Sequence, residues 1–207
     1  MSRIESVIVL PGVQYFIVID GYGGAYGEYT LTVTDMEMCE LDCPAGAELE
    51  GEPSLIEDYI DLHNSGCSNE VPEDYIQPIT GSVFCGVSGW YSSYGLTHRD
   101  TDWFLYTIPT SGMLEVTGDA ERATYMFELG PQDCSTVAVI QQATIGPCSE
   151  ATMTIVGEPG STVWFWVAPT TTMEDQFEEF DYILLSNIEG PSAIENHSLT
   201  EIKSLFH

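Results

Sequence analysis

Eight short stretches rich in β-branched and aromatic residues recur between residues 81 and 187, and their spacing constrains the fold more than any other feature. They are GSVFCGVSGW (81–90), TDWFLYTI (101–108), GMLEVTGD (112–119), TYMFELG (124–130), STVAVIQ (135–141), ATMTIVG (151–157), STVWFWVAP (161–169) and FDYILLSN (180–187). Gly, Pro, Asn and Asp punctuate the gaps. This is the pattern of an all-β, antiparallel β-sandwich or jelly roll, not of a βαβ sheet. Within TVWFWVA, Val163, Phe165 and Val167 alternate with Trp164 and Trp166, so both faces of that strand are apolar. Such a strand is central, with one face in the core and the other beneath a loop; the competing reading is an exposed platform for sugar rings built from Trp90, Trp164 and Trp166.

The chain opens differently. QYFIVID is a continuous apolar run bounded by PG and DGYGG, and GEYTLTVT alternates with period two: Tyr29, Leu31 and Val33 share a face opposite Glu28, Thr30 and Thr32. The pair predicts a hairpin joined by a glycine-rich loop. A hairpin alone is marginal in water, so residues 1–34 read as the end of an upstream sandwich. Residues 35–187 then form the main domain and 188–207 a polar tail. Between residues 35 and 75 the chain is acidic and irregular. We expect an ordered loop held by disulfides, with at most one helical turn near Ile56 to Leu62.

Charge narrows the partners. The 207 residues carry 33 Asp and Glu against 4 Lys and Arg, a formal net charge of −29. So few cations leave no basic footprint for phosphate, which argues against nucleic acid and against anionic membranes. No apolar run is long enough for a membrane-spanning helix. Self-repulsion on this scale is relieved when carboxylates hold a divalent cation, and calcium is the natural candidate.

Six cysteines, an even number, point to disulfides in an oxidising compartment; CELDC does not have zinc-knuckle spacing and the four histidines are isolated. The expected pairs are Cys134 with Cys148, Cys43 with Cys67, and Cys39 with Cys85, among fifteen possible connectivities. A secreted chain whose first residues lack a recognisable leader reads as the last piece of a longer protein.

The stretch LPGVQYFIVIDGYGGAYGEYTLTV resembles the ending of bacterial pre-peptidase C-terminal (PPC) domains, and CGVSGWY followed by HRDTDWFLYTI resembles the middle of related sandwich domains. SLTEIKSLFH is similar to the Trp-Gly-x-Ile-Lys-x-Leu tail of some secreted bacterial proteins, with Thr200 and Glu201 in place of the Trp and Gly. The resemblance implies a β-sandwich attached to secreted hydrolases, not itself catalytic, that assists secretion, substrate attachment or calcium-dependent stability.

No G-x-S-x-G, H-E-x-x-H or P-loop is present, so the chain reads as a non-enzyme. Asp100 and Asp102 in RDTDW project from one face of a strand and are candidate calcium ligands. The competing reading, which adjacent Arg99 favours, is that Arg99 and turn amides satisfy them. In EDYIDLHNSGC, Glu57, Asp58, Asp61 and Asn64 offer oxygen ligands without the EF-hand spacing, and a solvated acidic face is the plainer reading. The function expected is a non-catalytic extracellular accessory or adhesion-type module of a larger secreted bacterial protein, its partners being upstream domains and polysaccharide or cell-surface material. A carbohydrate-binding module is the alternative, and a hydrolase using Asp100 and Asp102 the remoter one.

Overall fold

The computed structural model describes residues 14, 16–18, 30, 39–55, 59, 61–68, 75–171 and 178–188, and the chain divides into two compact units, Met1–Met36 and Glu37–His207. Most of the expected opening hairpin and of the expected helical turn, and the polar tail beyond Ile188, lie outside the described residues. The architecture below is that of the second unit.

Two sheets pack face to face. The first has the order β1-β3-β11-β6-β9, with β4 also on β3, and contains β1 (Glu48–Leu49), β3 (Val83–Ser93), β4 (Leu96–Arg99), β6 (Met113–Ala120), β9 (Ala151–Val156) and β11 (Glu178–Ser186). The second runs β2-β5-β10-β7-β8, from β2 (Gln77–Pro78), β5 (Asp102–Thr107), β7 (Thr124–Gly130), β8 (Ala138–Ile145) and β10 (Thr162–Pro169). All eight predicted stretches contain strands. Both sheets are mixed, because β1 pairs parallel to β3 and β2 parallel to β5. Of these two-residue strands β1 belongs to the irregular segment and β2 follows it directly; neither was expected. No α-helix occurs among the described residues, only a 3₁₀ turn at Gly66–Ser68.

Alternation explains the layers. Phe84, Phe104, Tyr106, Val116, Met126, Phe165, Val167, Tyr182 and Leu184 point between the sheets and form the central core. Their neighbours in sequence point outward. Val83, Cys85 and Ile183 join Leu41 on the outer face of the first sheet, while Trp103, Leu129 and Trp164 cluster on that of the second. β10 is central in its sheet, as its two apolar faces require. One predicted strand begins late: STVAVIQ becomes strand only from Ala138, because Asp133 Oδ1 accepts from the Ser135 amide at 2.9 Å and its carbonyl from the Val137 amide at 2.8 Å, closing a turn first. A hairpin between β3 and β4 was missed. Its turn residues, Tyr94 and Gly95, both have positive φ (51° and 73°), the two-residue geometry that suits strand twist.

All six cysteines are in disulfides, but the expected pairing is wrong in every case. Cys39 bonds Cys148, Cys43 bonds Cys85 and Cys67 bonds Cys134, with Cα separations of 5.6, 6.0 and 5.4 Å. Cys134 and Cys148 flank β8, whose eight residues span about 26 Å at the usual rise, far beyond disulfide reach. Cys43 and Cys67 cannot meet because they anchor on different sheets. Each bridge takes one cysteine from the irregular segment, which is therefore tied down along its length.

Candidate metal centre

Glu50 follows β1 and is held where that strand meets β3. Its amide donates to the Cys85 carbonyl at 3.0 Å. Its carboxylate accepts from the Val87 amide at 2.7 Å, the Asn64 side chain at 2.5 Å and the Tyr182 hydroxyl at 3.1 Å. Glu52, two residues on, accepts from Tyr59 Oη at 2.5 Å through Oε1, while Oε2 is buried without a partner. The following turn of chain brings in Asp61 and Asn64. The Asn64 carbonyl accepts from the Trp103 amide at 2.7 Å, so the irregular segment is stitched to the start of β5. There Asp100 and Asp102 stand, both fully buried.

These residues converge. One oxygen from each of Glu50, Glu52 and Asp102 falls within 4.8 Å of the others, and so does one from each of Glu52, Asp61 and Asp100. Both carboxylate oxygens of Asp100 and of Asp102 lack a hydrogen-bond partner, as do Asp61 Oδ1 and Asn64 Oδ1. Buried carboxylates without partners are costly. The arrangement is a nest of hard oxygen donors, the chemistry that suits calcium.

Among the described residues no arginine answers the charge. Arg99 sits beside Asp100 in sequence but on the other side of the chain, donating to the Pro169 carbonyl at 3.0 Å and lying 5.9 Å from the centre of the Trp166 ring. Arg122 pairs with Glu178. The expectation that Arg99 satisfies the aspartates is therefore corrected: adjacent residues of an extended chain point to opposite sides. His63 is the nearby basic side chain, with Nε2 3.0 Å from the Glu50 carbonyl oxygen.

The cluster's electrostatics follow from burial and crowding. Burial pushes the Glu52 carboxyl up to about 8, against the Tyr59 hydrogen bond, and the charges of Glu50, Asp61 and Glu179 push the same way. Burial raises Asp61 to about 6. Glu50 is raised by burial despite its hydrogen bonds. Asp100 and Asp102 are driven well above the usual carboxylate range, by burial first and then by the neighbouring acids. Without a cation, this cluster holds protons at neutral pH.

Of the predicted metal ligands, Asp61, Asp100 and Asp102 are brought together, and Asp58 lies outside the described residues. Glu50 and Glu52 were missed, because the two-residue strand β1 that places them carries no periodic signal of its own.

The aromatic candidates fare differently. Trp90 is buried, its Nε1 donating to the Thr171 carbonyl at 2.6 Å. Trp164 is buried against Trp103 and Leu129, beneath the loop joined by Cys67 and Cys134. Trp166 is half-buried and lines an open depression with Trp103, Phe127, Leu129 and Val139. Its ring stacks on Phe127 at 4.8 Å, and Phe127 stacks on Tyr125 at 5.1 Å.

No protein-family model matches the chain, and no curated protein matches it in sequence. The class defined by fold and site is an all-β sandwich with three disulfides and a buried acidic cluster able to hold a metal ion. The disulfides mark a chain suited to an oxidising environment, and no helix among the described residues is long and apolar enough to cross a membrane.

Proposed function

We propose that this chain is a non-catalytic extracellular β-sandwich module of a larger secreted bacterial protein, of the PPC-like kind its sequence resembles, and that calcium bound at the acidic cluster holds its irregular segment to the sandwich. The observation that carries the calcium assignment is the burial of Asp100 and Asp102 with all four oxygens unpartnered. A cation binding the folded state stabilises it by mass action. The same burial supports the non-catalytic reading, since a substrate has no access to carboxylates with no exposed surface. The three disulfides support the extracellular one.

A sugar platform is less well supported. Sugar recognition on aromatics uses an open ring face, whereas Trp90 and Trp164 are buried and the Trp166 ring stacks on Phe127 and carries Arg99. Thermal unfolding of the oxidised protein, in chelator and in millimolar calcium, tests the assignment. A rise in Tm of 10 °C or so with calcium is expected for a gain of about 3 kcal/mol; equal Tm values in the two buffers would sink it.

A further inference from the structure

We infer that two copies of this chain associate through the flank of the sandwich formed by β8 and β9, with β8 of one copy pairing antiparallel to β8 of the other across a twofold axis. β8 and β9 are the last strands of their sheets. They lie side by side, Gln141 Nε2 of β8 donating to the Thr154 carbonyl of β9 at 2.9 Å. Their sequences, AVIQQATI and ATMTIV, contain no Asp, Glu, Lys, Arg or Pro. Natural sheets blunt their edges with charge, proline, brevity or a cover. The opposite edges obey this rule: β1 and β2 have two residues each, one of them Pro78, and β4 is a four-residue strand ending in His98 and Arg99. β8 is blunted only near its start, by a bulge that leaves Ile140 outside the pairing with β7. From Gln141 to Ile145 the ladder is regular, and no described residue bonds its outward backbone groups.

Apolar exposure gathers on the same flank. Val139 and Ile140 are 48% and 62% exposed, and at the end of β9 Val156, 80% exposed, pairs with exposed Met113 of β6.

Charge selects the occupant. The chain carries a formal net charge of −29, so a basic partner is drawn to its acids and away from this flank, while a second copy is repelled wherever acids face acids. Charge-free edge strands let two such chains meet without like charges opposed. β8 also suits itself. About an axis through Ala143, antiparallel pairing sets exposed Gln142 opposite Thr144 of the second copy and Gln141 opposite its Ile145, continuing the face that carries Tyr125 and Phe127 on β7. One such contact is closed: it covers the edge in both chains and leaves no further β8 to pair. So short an edge makes a small interface, and the dimer belongs to the weak, reversible class.

The test is the mass of the oxidised full chain by sedimentation equilibrium from roughly 5 to 500 μM, the range in which a weak interface populates a dimer. A monomer passing to a dimer, and no larger species, is expected. Raising sodium chloride from about 0.1 to about 1 M shortens the screening length from about 10 to about 3 Å and should tighten the dimer about tenfold, because the opposed charges lie outside the contact. Gln142→Glu combined with Thr144→Glu, at two exposed positions that this register opposes, should abolish the dimer with little change in Tm. Leu96→Glu combined with Thr107→Glu adds the same charge at exposed positions on β4 and β5 and should weaken it less than about twofold. In amide hydrogen exchange the stretch Ala138–Ile145 should gain protection as concentration rises. A monomer at every concentration and salt overturns the proposal, as does a dimer that the β4 and β5 variant breaks and the β8 variant spares. Full protection of Ala138–Ile145 already in the dilute monomer means that the edge is covered within one chain, and overturns it too.

Discussion

The Tyr182 ring lies where a side chain on Gly86 would be: a Cβ there would stand 2.2 Å from the ring carbon that carries the hydroxyl. The two residues pair across β11 and β3, and the missing side chain lets the phenol reach over the strand to Glu50. A glycine in a strand is usually a weakness. Here it makes room for a side chain that holds Glu50 in the acidic cluster.

Gly86→Ala should therefore cost about 3 kcal/mol, the upper end of ordinary overpacking, because the alanine methyl meets a ring that is itself buried. Calcium affinity should fall with it, since displacing Tyr182 frees Glu50 from one of its donors. Denaturant unfolding with and without calcium reads both effects; a stability loss below about 0.5 kcal/mol would contradict the close approach.

Asp102→Asn should act in opposite directions in the two buffers. In chelator it removes an acid that folding forces to hold a proton at neutral pH, a cost the neutral amide does not carry, so the Tm should rise above that of the unaltered protein. In millimolar calcium it removes a ligand, and the calcium-dependent gain should fall by at least the roughly 1.4 kcal/mol that a tenfold loss of affinity represents. A crossing of the two Tm orders is the signature to look for, and a variant less stable in both buffers would count against it.

pH dependence without calcium runs opposite to that of most proteins. Glu52 is raised from 4.5 to about 8 and Asp61 from 3.8 to about 6 in the folded state. The folded chain then binds more protons than the unfolded one between those values, so stability falls as pH rises. The contribution is fully present below about pH 4 and is lost by about pH 8. Chemical denaturation in chelator from pH 5 to 8 should show this decline, and saturating calcium, which binds the deprotonated ligands, should flatten or reverse it.

Proteolytic mapping without reductant should recover Cys39–Cys148, Cys43–Cys85 and Cys67–Cys134 as the linked peptides. Replacing both Cys67 and Cys134 by serine opens a closure of 67 residues and should cost about 4 kcal/mol on the chain-entropy account. Calcium binding should weaken as well, because Asn64 and Gly66 lose their anchor; Gly66 packs on the Trp103 ring so closely that no Cβ fits. Recovery of a Cys134–Cys148 peptide from native protein would be incompatible with an eight-residue strand between them.

Part of the acidic cluster was legible in the sequence. Asp100 and Asp102 share a face because strand residues alternate, and Asp61 and Asn64 sit close together in an oxygen-rich stretch. The same alternation places Arg99 opposite Asp100, and applying it to that pair would have removed the competing reading. Glu50 and Glu52 were not legible as ligands, since their nearness to Asp102 depends on a two-residue parallel strand, β1, that carries no periodic signal of its own.

The sequence by itself determined that this chain is a β-sandwich with all its cysteines oxidised, because period-two alternation and turn residues act over a few positions and need no knowledge of the whole. Tertiary structure alone decided which cysteines pair and which acids meet. The disulfides join residues from 42 to 109 positions apart and the cluster brings Glu50 to Asp102, contacts set by which face of which sheet each segment covers. At that range two aspartates that share a strand face become the buried, unpartnered centre of an acidic cluster able to hold a cation.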